Sequence, residues 1–519
     1  MSNQPDPTAT RSGPTGRYAF SVNLGSHDSR LKGLPAPAVV EGFYQRWLDG
    51  TRHLFDKLIE YNKAHVVELH EARIVSTTDA GKLLETLRWM ESEGVDGFAF
   101  DPALEDLAPN MEGIVVSRLG EEVGGRLLTG RARGEVTNVA IRLLLREKFL
   151  ELMGELNRLR SAVLALAREH VETVMPGYTH AQHAQPTTLG HYLACVAEAF
   201  ETDFSRLEDT YKRLNASFAE SGIGQGTAYA IDRQRVASHL GFDGLVENTR
   251  YALLCWDRTI EVLAQVAILA VNINRFSDDL FYWCTYEFGM VELADEYSAT
   301  SYIMPQKKNP YVLEELSVIP GRAIAAFAQE AVRWNRVSFG LATHLGGVKA
   351  DPAKSVSEVC AAARMLTGVV DTLGINRELM GERAGAHFTQ ASELADTLVR
   401  EKGISFRTAH RVMGTVVRKA LAAGKKPFEI DTAMIDDAAI EVTGKPLGLS
   451  VEVLRRALDP IEIVRARNVV GGTAPAAVEA SLANRVAQLA KDTGSLDRKQ
   501  SDVAASRQRL ERAVEALLR

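Results

Sequence analysis

Residues 189–218 read LGHYLACVAEAFETDFSRLEDTYKRLNASF. The apolar positions are Leu189, Leu193, Val196, Phe200, Phe204, Leu207, Tyr211, Leu214 and Phe218. They recur at steps of three and four, about 3.6 residues per step, which is the period of an α-helix with one buried face. A second run has the same period: Ile141, Leu145, Phe149, Leu152, Leu156, Leu159, Val163 and Leu166. A third, over about 251–284, is apolar on more than one face, as suits a helix at the centre of an assembly. Helices of this length exceed the usual three or four turns and predict an all-α fold built on a bundle of long rods.

Breakers set the expected divisions. MPGYTHAQHAQPTT (175–188) carries prolines near both ends and predicts a turn between two long helices. SATSYIMPQKKNP (298–310) has two prolines and no period, so an exposed loop is expected, with FGLATHLGG (339–347) as a second irregular stretch. From about 371 the helices shorten between Gly and Pro. The expected organisation is a disordered arm at 1–20, a helical domain at 21–115 and the central bundle at 116–370. A small helical domain at 371–485 and a charged helical tail at 486–519 follow.

The 519 residues carry 60 Lys+Arg against 67 Asp+Glu, a net charge of -7. That balance argues against nucleic acid or an anionic membrane as a partner of the whole chain. No run of 18 apolar residues occurs, so no membrane span is expected. The four cysteines, Cys195, Cys255, Cys284 and Cys360, form no CxxC pair. They fit buried thiols in a reducing compartment, and the polar N-terminus lacks the apolar core of a signal peptide; the cytoplasm is expected.

Three segments hold residues suited to chemistry. SATSYIMPQKKNP joins a hydroxyl to two lysines and an asparagine, offering a base and several anion-holding donors. A solvated surface loop would have such lysines too, but Ile303 and Met304 are odd there. YTHAQHAQP (178–186) brings Thr179, His180, Gln182 and His183 together. No third ligand stands at metal-like spacing, so a histidine acting as general acid or base is favoured over zinc. TGRARGE (129–135) places Thr129, Arg131 and Arg133 before a helix, a pattern that suits carboxylate binding as well as a plain basic turn. SGIGQGTA (221–228) follows a helix and is no dinucleotide fingerprint.

The order and wording of these segments resemble the argininosuccinate lyase branch of the aspartase/fumarase superfamily. IMPQKKNP (303–310) is similar to the signature G-S-S-x-M-P-x-K-x-N, and MPGYTHAQHAQP (175–186) to G-Y-T-H-x-Q-x-A-Q-P. TGRARGE matches T-G-R-S-R-N-D in part. AIDR (230–233), LGF (240–242), GISFRTAH (403–410) and GGTAP (471–475) also fit this branch. The resemblance spans about 50–480. It implies an aspartase/fumarase-like fold and a homotetramer with shared active sites. It also implies β-elimination of a C–N bond in an N-substituted aspartate, releasing fumarate and an amine, as in arginine biosynthesis. Ser301 is then the base, with Lys307 and Asn309 stabilising charge. His180 assists proton transfer toward the leaving nitrogen. Thr179, Arg133, Gln182 and Thr129 bind a dicarboxylate or amino-acid substrate, and no metal or organic cofactor is implied.

The departures fall on one side of the expected site. The branch has S-R-N where this chain has Ala132, Arg133 and Gly134, and E-D-V-H where it has Glu105, Asp106, Leu107 and Ala108. Thr300-Ser301-Tyr302 replaces G-S-S, and the stretch Y-N-R-D-L-Q is not recognisable in SFGLATHLGGVKAD (338–351). The proton-abstracting half is kept and the amine-recognising half is rewritten, so weak turnover of argininosuccinate beside another N-substituted aspartate is expected. A low-activity crystallin-like homologue would have damaged Ser301, Lys307, Asn309 or His180, and all are present. A serine hydrolase would need an elbow motif that the chain lacks.

Overall fold

The computed structural model describes residues 18–19, 33, 35–335, 337–339 and 351–519. Nearly all of the arm expected at 1–20, and the FGLATHLGG stretch beyond Phe339, lie outside the described residues.

After short helical turns between Pro37 and Leu54 come the helices α1 (Phe55–Glu71), α2 (Thr77–Glu93) and α3 (Leu107–Leu119). Ser76 and Asp106 start the second and third by accepting the backbone N–H of Asp79 and Ala108. Helix α4 (Arg133–Glu169) then runs for 37 residues with no proline to break it. Its first turns pack Val136, Val139 and Leu143 into one apolar cluster with α1–α3. From Leu145 onward it enters a second, larger cluster.

The segment after α4 is not the simple turn that its prolines suggested. Strands β1 (Val174–Thr179) and β2 (Gln182–Thr188) form an antiparallel hairpin with Pro176 opposite Pro186. The register shifts between Pro176 and Tyr178, and at Gly177 an added Cβ would lie 2.7 Å from the Gln185 carbonyl oxygen. Only glycine lets the strands approach this closely. The two residues at the tip, His180 and Ala181, both have φ of 56°. That is the geometry of a two-residue hairpin turn, usually built from Asn and Gly.

Thr188 accepts the His191 N–H and caps helix α5 (Leu189–Leu214), which returns beside α4. Gly190 lies against the end of α4, where an added Cβ would meet the Ala167 oxygen at 2.8 Å. Helix α6 (Arg233–His239) follows. The third long run breaks at Cys255 before helix α7 (Asp257–Trp283). By length and composition alone α7 is apolar enough to cross a membrane, but half of that stretch is buried, as in the core helix of a bundle. It packs on α5, on α8 (Ile319–Trp334) and on α9 (Pro352–Asp371), which accounts for its apolar composition.

Between α7 and α8 the short strands β3 (Ala299–Thr300) and β4 (Lys308–Asn309) pair and close the 301–307 loop. Helices α10 (Ala391–Lys402), α11 (Phe406–Ala422), α12 (Thr432–Thr443) and α13 (Val451–Leu458) form a third cluster around Leu398, Val412 and Ile435. The chain ends in α14 (Pro475–Leu518), 44 residues long. Position 485, where a tail was expected to begin, falls inside this helix. Its Val478, Leu482 and Leu496 enter the central cluster, and Leu510 and Val514 the N-terminal one. Among the cysteines, Cys255 and Cys360 are buried and Cys284 partly so, but Cys195 is exposed because it lies off the apolar stripe of α5.

Two tests follow from this packing. Arg160 on α4 is 1% exposed and donates to Asp492 Oδ2 of α14 at 2.7 Å. Asp492→Ala should cost about 3 kcal/mol in urea unfolding, because it strands a buried charge; Glu201, 3.7 Å from the same guanidinium, limits the loss. Ala181→Gly should instead raise stability by about 1 kcal/mol, by relieving the left-handed backbone of a residue that carries a Cβ.

Candidate functional site

Each of the three segments singled out in the sequence has its own support. In the first, Thr129 ends a short turn over Gly125–Leu128, and Gly130 takes a φ of 79°. Ala132 then makes no side-chain cap for α4, whose first residue is Arg133. The exposed Arg133 guanidinium pairs with Glu105, a residue held at a φ of 75°. The carboxylate of Glu105 thus occupies the arginine from which carboxylate binding was expected. Arg131 and Glu135 turn inward and are buried.

In the second, Thr179 and Gln182 face each other across the hairpin, and His180 stands exposed at its tip. His183 points back toward the body. Its Nε2 lies 3.4 Å from the Tyr178 hydroxyl, and its ring meets that of His387 edge-on at 5.2 Å. Burial, then His387 and Arg383, lower its pKa below the ordinary histidine value. The two histidines of this segment therefore point to different surroundings. Among the described residues no cluster of three or more His, Cys, Asp or Glu has the geometry to hold a metal.

In the third, the pairing of Ala299 with Asn309 and Thr300 with Lys308 brings Ser301, Lys307 and Asn309 to one loop. Ser301 Oγ accepts the backbone N–H groups of Ile303 at 3.3 Å and Met304 at 3.1 Å. Lys308 Nζ lies 2.8 Å from Asp295 and 2.9 Å from Glu292. Hydrogen bonds to these two carboxylates raise its pKa, so this lysine is spent on holding the loop. Lys307 has no ion-pair partner among the described residues. It lines a cavity of about 660 Å³ with Gln306, Lys308, Cys284 and Asn376. Tyr302 and Ile303 are almost wholly exposed.

The structure does not join these segments within one chain. The first sits at the start of α4 and the hairpin follows its end, so about 54 Å of helix separates them. The third lies nearer the hairpin: Trp283 at the end of α7 packs on Tyr192 with ring centres 4.7 Å apart, and Phe288 lies 5.9 Å from Tyr178. No hydrogen bond or ion pair among the described residues links the 301–309 loop to Thr179, His180 or Gln182.

Sequence reasoning passed over Glu105 as a carboxylate on Arg133, and over the interior chain in which Tyr61 bonds both Glu135 and Glu220 and His65 meets Glu220. The one available signal was the alternation in TGRARGE, where Arg131 and Glu135 fall on the side opposite Arg133.

The family model described as a lyase matches residues 63–325, and that of the argininosuccinate lyase C-terminal region matches 388–465. An argininosuccinate lyase of Methanothermobacter thermautotrophicus is 37% identical, covering 83% of this chain and 92% of its own. One of Methanocaldococcus jannaschii is 36% identical over 92% of this chain and 95% of its own. Among solved structures, an EDDS lyase variant with bound fumarate superposes with a TM-score of 0.85 at 30% identity, covering 94% of this chain and 97% of its own. A class II fumarase of Schistosoma mansoni, at 15% identity and a TM-score of 0.66 over 84% of this chain and 96% of its own, shares the fold. With two family models matched and relatives of 36–37% identity spanning most of its length, the chain belongs to the argininosuccinate lyase family.

Proposed function

We propose that the protein eliminates the amine from an N-substituted aspartate and releases fumarate, with argininosuccinate as the first substrate to test. The observation that carries this reading is the pair of backbone N–H groups aimed at Ser301 Oγ. A serine hydroxyl is a poor base at its free pKa, and fixed donors at its oxygen stabilise the alkoxide that would take the proton. That proton leaves the carbon beside a carboxylate and loads negative charge onto the carboxylate oxygens. Lys307 and Asn309, on the same loop, stabilise that charge. His180 delivers a proton to the departing nitrogen. Thr129, Arg133, Thr179 and Gln182 hold the substrate's carboxylates, with Glu105 displaced from Arg133 as substrate enters.

The site is completed by other copies of the chain. The length of α4 supports this, since Arg133 and His180 cannot meet in one subunit. Exposed apolar residues on α7 and α8, among them Ile268, Val271, Ile324 and Val332, offer the faces on which copies would associate as a cytoplasmic homotetramer. The EDDS lyase similarity and the bare start of α4 favour a second reading, in which the amine half differs from that of argininosuccinate. Ala132 and Gly134 supply no side-chain donor, and desolvating a polar group without a partner costs about 1–3 kcal/mol.

Ser301→Ala should remove nearly all fumarate release, followed by ultraviolet absorbance, while leaving the melting temperature unchanged. Retention of most of kcat would refute the base assignment. Mixing unfolded Ser301→Ala and His180→Asn chains and refolding them together should restore activity that neither variant has alone. No recovery would argue against shared sites. For substrate choice, kcat/KM for argininosuccinate of about 10⁴ M⁻¹s⁻¹ or more would settle on that substrate. A far lower value beside efficient cleavage of another succinyl amine would establish the second reading.

A further inference from the structure

Beneath the 129–133 segment lies a buried polar network that the elimination chemistry does not use. Arg131 Nη2 donates to Asn62 Oδ1 at 2.9 Å and to the Leu127 carbonyl at 2.6 Å, and the guanidinium lies 4.8 Å from the Tyr61 ring. The Tyr61 hydroxyl donates to Glu135 Oε1 at 2.8 Å, and Glu220 Oε1 lies 3.2 Å from the same hydroxyl. Glu220 Oε1 also meets His65 Nδ1 at 2.9 Å. Tyr61, His65, Glu135 and Glu220 are all at most 1% exposed. Among the described residues, Glu135 Oε2, Glu220 Oε2 and His65 Nε2 have no hydrogen-bond partner.

Two carboxyl groups thus share one tyrosine hydroxyl in a site closed to bulk water. Both cannot be charged cheaply there. The charged groups around them are Arg131 on the same segment, Arg233 on α6 and Glu68 on α1, and Glu112 of α3 is close enough to Arg131 to feel its charge. Glu220, beside His65 and Arg131, keeps its carboxyl below the ordinary value. Glu135, pushed up to about 8 by burial and by Glu220, keeps its proton at neutral pH. Glu135 stands in the first turn of α4, two residues after Arg133, so both side chains are carried by the same turn of backbone.

We propose that Tyr61, His65, Glu135 and Glu220 are positioning residues for the dicarboxylate-binding segment, which they hold in register through the buried tyrosine hydroxyl that the two carboxyl groups share with one proton between them. The proposal rests on the reading of Thr129 and Arg133 given above. Loss of that proton to solvent puts a second anion beside Glu220, strains the anchorage of Arg133 and adds negative charge under the substrate's carboxylate. Binding weakens while the loop of Ser301 is untouched.

The test uses the full-length oligomer with the succinyl amine that it cleaves, over pH 6.5 to 9.5. Wild-type KM should rise about tenfold from pH 7 to pH 9, as one ionisation near 8 requires, with kcat changed less than twofold. Glu135→Gln should match the wild-type KM at pH 7 and stay flat to pH 9. Tyr61→Phe, which removes the shared hydroxyl, should raise KM already at pH 7. Infrared difference spectra of the unliganded protein should show a protonated carboxyl band that titrates near pH 8 and is missing in Glu135→Gln. A KM independent of pH, a rise that survives Glu135→Gln, or no such band would each overturn the proposal. Absence of fumarate release by wild type at every pH would instead overturn the functional reading.

Discussion

The length of one helix constrains everything else in this molecule. α4 keeps its hydrogen bonds within itself for 37 residues and is buried along most of that length. It is a stiff spacer whose two ends belong to two different apolar clusters. Because Arg133 opens it and the hairpin follows its close, the residues suited to hold a dicarboxylate and the histidine suited to move a proton are kept at a fixed, large separation. A catalytic arrangement that needs both must draw on more than one copy of the spacer. The exposed apolar residues of α7 and α8 lie on helices that pack within the same bundle as the spacer.

The polar groups that α4 buries show how such a spacer is tied to the rest. Arg146 donates to the carbonyls of Leu240 and Gly241 at 2.8 and 2.9 Å and to Asn215 Oδ1 at 3.0 Å. These are groups of the loops packed against the helix, and burial makes an unpaired one costly. Arg160 does the same for α14 through Asp492. The final helix then reaches the N-terminal cluster, where Glu511 meets Lys63 at 2.8 Å. Lys63 itself is only 2% exposed and is paired on its other side with Glu91. Charge that reads as a solvated tail in the sequence is in part a set of inter-helix ties. Its worth lies in fixing which helices meet, since breaking such pairs is costly even where forming them is nearly neutral.

The long helices were legible because one buried stripe imposes a 3.6-residue period over many turns, and both α4 and α5 kept it. The hairpin was not. Its strands hold prolines and small polar residues with no alternation, and their pairing depends on Gly177 and on a two-residue tip that no local propensity favours. The site divides in the same way. Ser301, Lys307 and Asn309 stand within nine residues of one another, and a short ladder suffices to gather them. Thr129 and Arg133 were legible as a local pattern, and so was His180, but how far apart they stand depends on the helix between them. The network at Glu135 was illegible because its members come from positions 61, 65, 131, 135 and 220. Tyr61 and His65 sit in a helix that reads as ordinary core, and nothing local in the sequence shows that two carboxyl groups share one hydroxyl.

The strained tip of the hairpin fits the same constraint. A two-residue turn with both φ values positive matches the twist of the flanking strands, and glycine or asparagine would form it at less cost. Here a histidine and an alanine occupy it, so the tip gives up stability that a different pair would have kept. The strands below hold it in place: Tyr178 packs on Phe288, His183 on His387, and Gln185 donates to Ser392 at 2.8 Å. All of these contacts anchor the base, and His180 itself is left exposed beyond them. A histidine serving its own chain would gain from packing into that chain's surface. One that serves a neighbouring copy must instead stand clear of its own subunit while its backbone stays fixed. A tight turn on an anchored ribbon meets both demands, and a longer loop would meet the first only by giving up the second.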